Sequence, residues 1–69
     1  MEQELYWDAT YAIVLGLMHH HPDIFPEDVG LAELVDLVVN LPGFADDEAL
    51  VNEQILLDIM NVWYEEETT

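Results

Sequence analysis

The sequence predicts an all-α fold: one small three-helix domain over residues 1–69, with at most a very short extended piece near Val29–Leu31. Three observations carry that reading. Apolar residues recur at helical spacing, with one face of each segment set for burial. His21-Pro22 and Leu41-Pro42-Gly43 interrupt the chain where a helix has to stop. Apolar residues make up 52% of the chain and include Trp7, Trp63, Phe25, Phe44 and three tyrosines, so a core is available although there is no cysteine to staple it.

The first helix is expected over about 8–20, capped by Asp8 or Thr10. Ile13, Leu17 and His20 or His21 share a face, and Tyr6 or Trp7 packs near its start. Gly16 inside the helix costs about 1 kcal/mol relative to alanine, and it suggests close packing of a neighbour. Pro26 is placed to open a short helical turn, with Glu27 and Asp28 favourable in its first positions. The second helix covers about 32–40. Leu31, Leu34, Val35, Val38 and Leu41 form its stripe, while Leu37 and Val39 fall off it. Phe44 begins a loop and plugs the core. Ala45-Asp46-Asp47-Glu48 reads as a charged turn or a short helical turn.

The third helix runs over about 51–66, with Asn52 as cap and Glu53 complementing the dipole. Ile55, Ile59, Val62 and Trp63 make its stripe, flanked by Leu56 and Met60. Glu65-Glu66-Glu67 sit where the dipole disfavours anions, so this end is expected to fray. Val14, Leu15, Leu37, Val39 and Leu57 are apolar beyond what one stripe requires. Of these, Val14 and Leu57 are assigned to the core.

Charge narrows the function. The chain holds sixteen Asp and Glu residues and no Lys or Arg, a formal charge of −16. At average usage, a random chain of this length lacks both basic types with a probability on the order of one in a thousand or less. Such a surface repels nucleic acid and anionic membrane, and it attracts basic proteins or cations. It also opposes self-association, which favours a monomer over a homo-oligomer. The start is acidic where a secretory signal needs basic residues, so a cytoplasmic location is the default. The apolar stretch from Tyr11 to Met18 is too short to span a bilayer. No nucleophile is paired with a base and there is no glycine-rich phosphate loop, so no enzyme is indicated and no cofactor is required.

Several features then arrive in a fixed order. Trp7 comes first, then Pro22-Asp23 with Pro26, then Val29-x-Leu31, then Phe44 with Asp46-Asp47. Last comes the run Asn52-Glu53-x-Ile55-Leu56-x-x-Ile59-x-x-Val62-Trp63-x-Glu65-Glu66. This order resembles the IscX family, the small acidic proteins of bacterial iron–sulfur cluster assembly, along almost the whole chain from Trp7 to Glu66. The resemblance implies a helical domain of winged-helix-like topology. It implies docking on a basic patch of the cysteine desulfurase, a patch shared with bacterial frataxin. It implies weak ferrous iron binding through surface carboxylates, and regulation without catalysis. The family's acidic positions fall here on Asp23, Glu33, Asp46, Asp47, Glu53, Glu65 and Glu66, the candidate partner-binding residues. Phe25, Val35 and Leu37 stand where the family pattern has an aspartate, a histidine and a tryptophan.

Asp46 and Asp47 are the candidate metal ligands. With Glu48 and Glu53 they could surround a hard cation, but the spacing is not that of a calcium loop, and a solvated charged turn is the preferred reading. His19-His20-His21 point about 100° apart in succession on a helix, so they read as a helix end complementing the dipole rather than a metal site. Two rival functions remain open to the sequence. One is an acidic mimic of nucleic acid that binds a basic protein. The other is an engineered Lys/Arg-free helical bundle without a biochemical role.

Overall fold

The computed structural model describes residues 4–68. Three helices carry the fold in the order α1 (Thr10–His20), α2 (Leu31–Val39) and α3 (Glu53–Thr68), with 3-10 turns at Pro26–Asp28 and Glu48–Leu50 between them. The acidic start from Met1 to Gln3, on which the cytoplasmic expectation rests, lies outside the described residues. Among those residues there is no strand, only an isolated parallel bridge between Leu5 and Phe44. Val29 and Gly30 are extended and α2 begins at Leu31, so the expected extended piece is two residues long.

Each helix contributes one stripe to a single core. Ile13, Val14 and Leu17 come from α1, Leu34 and Val38 from α2, and Leu56, Ile59 and Trp63 from α3. Leu5, Trp7, Val29 and Leu41 close it from the connecting segments. Val14 is fully buried as expected, but Leu57 is 41% exposed and does not fill the core. The difference follows from the packing. α3 packs on α1, α2 and the first 3-10 turn through the side that carries Leu56, Ile59 and Trp63, and Leu57 is left facing outward. Leu15 is exposed, and Leu37 and Val39 are half-buried against the core edge. Trp63 lies wholly inside, and its Nε1 has no acceptor among the described residues. An unmade bond of that kind costs about 1–3 kcal/mol, and burial of the large ring opposes it.

The helix ends show which caps the sequence chose. Asp8 and Thr10 do not cap α1. Its N-cap is Ala9, held in a turn by its amide donating to the Tyr6 carbonyl at 2.9 Å. Asn52 does cap α3, its Oδ1 accepting from the Ile55 amide at 2.9 Å. Asn40 closes α2 by donating from Nδ2 to the Asp36 carbonyl at 2.7 Å. Gly43 then takes φ 87°, a left-handed turn that suits glycine, and presents its carbonyl to Leu5. At the far end α3 continues past Glu66 to Thr68. The Thr68 hydroxyl donates to the Tyr64 and Glu65 carbonyls at 3.0 and 3.2 Å, which satisfies acceptors the last turn would otherwise leave open.

The neighbour that Gly16 was expected to mark is Leu41, but the contact is not tight. A methyl group at Gly16 would meet the Leu41 Cδ1 at 3.4 Å, an ordinary contact. Gly16→Ala is therefore expected to stabilise the fold by about 0.5–1 kcal/mol through helix propensity and a stiffer unfolded chain. The check is a urea midpoint that rises with an unchanged slope; a lower midpoint would mean the helices cannot accept the extra methyl.

Candidate functional site

The N-terminal segment is clasped onto the loop after α2. The Leu5 amide donates to the Gly43 carbonyl at 2.8 Å, and the Ala45 amide donates back to the Leu5 carbonyl at 2.9 Å. The Trp7 amide donates to Asp46 Oδ2 at 2.9 Å, and Trp7 Nε1 donates to the Asp47 carbonyl at 2.8 Å. The indole meets the Phe44 ring edge-on, with centroids 5.0 Å apart. The other Asp46 oxygen, Oδ1, accepts from the Asp47 amide at 2.8 Å, and Asp47 Oδ1 caps the second 3-10 turn by accepting from the Ala49 amide at 2.9 Å. Beside the clasp, the exposed Tyr6 hydroxyl donates to the Glu4 carboxylate, which raises the phenol above its ordinary value.

Asp46 and Asp47, the two candidate metal ligands, thus hold backbone amides. Among the described residues, no three of His, Asp and Glu gather as a metal site. His19 and His20 are exposed with their rings edge-to-face, 4.9 Å between centroids, while His21 is half-buried and its amide closes α1 on the Leu17 carbonyl.

The seven candidate docking residues do not converge. Asp46, Asp47 and Glu53 sit where α3 begins. Glu65 and Glu66 sit at its other end, about 18 Å further along the axis at the usual helical rise. Asp23 lies in the turn after α1, three residues before the start of the 3-10 turn at Pro26–Asp28 that packs on α3, and Glu33 lies on the first turn of α2. All are exposed except Asp46 and Glu66, which are half-buried. Glu66 Oε1 lies 3.5 Å from the Tyr11 hydroxyl, a long contact that leans α1 on the end of α3. The candidate acids are spread over several elements and do not make one patch.

Two surface recesses among the described residues stand out. The larger, about 440 Å³, runs along α1 and is lined by Leu5, Tyr11, Ala12, Leu15, Gly16, His19 and His20. The smaller, about 220 Å³, lies between the first 3-10 turn and the last turns of α3, lined by Phe25, Pro26, Glu27, Tyr64, Glu67 and Thr68. Sequence reasoning passed over this second recess. The available signal was Tyr64, an aromatic residue one step off the stripe that Trp63 belongs to.

The family model described as iron–sulphur cluster assembly matches residues 5–68, from the clasp to the end of α3. The chain belongs to that family. The iron–sulphur cluster assembly family includes the IscX proteins its sequence resembles, and the helical domain that resemblance implied is present; of its winged-helix-like detail the described residues show only the isolated Leu5–Phe44 bridge. An uncharacterised protein of Pseudomonas aeruginosa is 34% identical over 62 residues, covering 90% of this chain and 94% of its own length. The match takes in both segments of the clasp and all seven candidate acids, so these features lie inside the family domain. No helix among the described residues is long and apolar enough to cross a membrane.

Proposed function

We propose that this member of the family is a non-catalytic acidic adaptor that docks on a basic patch of the cysteine desulfurase. The observation that carries the reading is a charge of −16 with no Lys or Arg to neutralise it internally. Acids spread over several elements suit a broad basic surface better than a single pocket, because each rim charge mainly speeds encounter and adds little alone. Iron takes a secondary place. Asp46 and Asp47 would hold ferrous iron only weakly, because both Asp46 oxygens and one Asp47 oxygen already accept amide hydrogens, and a hard cation needs several free oxygens.

The test is titration of the labelled protein into a bacterial cysteine desulfurase at low and at high salt. Saturable binding in the micromolar range that weakens as salt rises is expected, since exposed charges are screened beyond roughly 10 Å at 0.1 M salt. A folded sample that does not bind, or binds with an affinity indifferent to salt, would sink the reading.

A further inference from the structure

The smaller recess brings two exposed aromatic rings and two carboxylates to one concave site. Phe25 is 43% exposed and Tyr64 is 52% exposed, and both line it. Glu27 and Glu67 line it too. Tyr64 follows the wholly buried Trp63, so the helical turn of about 100° per residue carries it out of the core. The Thr68 hydroxyl holds the last turn by its bonds to the Tyr64 and Glu65 carbonyls, which fixes Glu67 in a helical position that a frayed end would lose. Two aromatic rings left in water leave apolar area wetted in the free protein.

A cation suits rings and carboxylates at once. An aromatic face attracts a cation through its quadrupole, more strongly as water is excluded. Carboxylates add charge-assisted hydrogen bonds. The chain has no Lys or Arg of its own to place there. Between the two basic side chains, a guanidinium fits better than an ammonium. It is flat, less strongly hydrated, stacks on a ring, and donates from a fork while stacked. The larger groove along α1 lacks this combination, since its lining is mostly apolar with two histidines and no acid.

We propose that the Phe25–Tyr64 notch is the anchor point for an arginine side chain of a basic partner protein, with the guanidinium against the two rings and bonded to Glu27 and Glu67. The identity of that partner rests on the docking reading above; the preference of the notch for a guanidinium does not.

The first probe is a capped Ala-Arg-Ala peptide, titrated into the isotope-labelled protein beside its lysine counterpart and followed by nuclear magnetic resonance. Shifts are expected to gather on the Phe25 and Tyr64 rings and on the Glu27 and Glu67 amides, and to be larger for the arginine peptide. Tyr64→Ala should weaken them about five-fold or more, the loss of one partly desolvated ring–cation contact. Glu67→Gln, which changes charge and not size, should weaken them as well, so a folding defect in one variant does not decide the matter. Shifts shared evenly with Glu33 and Glu53, or unchanged by Tyr64→Ala, would overturn the proposal. The same two variants are then titrated into the desulfurase. Peptide capture at the notch with no desulfurase binding would leave the notch standing and remove the docking reading. Desulfurase binding with diffuse peptide shifts and no effect of either variant would do the reverse.

Discussion

Trp7→Ala is expected to lower stability by about 3–5 kcal/mol, the usual range for emptying a buried aromatic site. Trp7 is 3% exposed and lies outside every helix, so its contribution comes wholly from joining distant parts of the chain. Alanine removes the edge-on contact with Phe44 and the 2.8 Å bond from Nε1 to the Asp47 carbonyl. A 69-residue domain has about 3–10 kcal/mol in all, so the variant should be largely unfolded at 37 °C. Trp7→Phe keeps a ring against Phe44 and loses the indole donor, so it should cost about 1–2 kcal/mol. Urea unfolding followed by circular dichroism ranks the three proteins. A loss below about 1 kcal/mol for the alanine variant would show that the clasp is dispensable.

Asp46→Ala is the second large effect, and it separates two roles for one carboxylate. As a docking residue, Asp46 would be replaceable with no change in folding. As a structural residue, it holds the Trp7 and Asp47 amides through its two oxygens at 2.9 and 2.8 Å. Its loss leaves the amide of a buried residue without an acceptor, which costs about 1–3 kcal/mol. Removing one of sixteen negative charges works the other way through reduced self-repulsion, but exposed charges are each worth less than a buried bond. Glu33→Gln, at an exposed position on α2, is the control and should stay within about 0.5 kcal/mol. Thermal melts of the pair decide the point. If Asp46→Ala and Glu33→Gln melt together, Asp46 is a surface charge after all. Desulfurase affinities of Asp46 variants are meaningful only where the variant is still folded.

Local signals were legible in the sequence and distant pairings were not. Asn52 as the α3 cap, Pro26 as the start of a turn, and the Ile59–Trp63 stripe all depend on neighbours within four residues, and all stand in the structure. The Trp7 bonds join residues 39 and 40 positions apart, and nothing local at either end announces them. That is why Asp46 read as a solvated acid when it is a brace. Val14 and Leu57 show the same limit. Both lie off their stripes, but periodicity does not say how much of a helix will be covered, and only Val14 is buried. The notch escaped for a related reason, since Phe25 and Tyr64 meet only after α3 packs on the first 3-10 turn. Fraying at Glu65–Glu67 was argued from the dipole alone and omitted what Thr68 does three and four residues later.

The clasp at Leu5 has a further effect on how this molecule meets others. Its single parallel rung uses the Leu5 amide on Gly43 and the Leu5 carbonyl on Ala45, so both main-chain groups are occupied internally. No other extended pairing exists among the described residues, so these residues offer no open strand edge. Strand addition, the route by which sheet proteins recruit peptides and also propagate into fibrils, finds no template among them. Recognition by these residues passes through side chains, and the negative charge they carry makes a surface of opposite charge the natural counterpart.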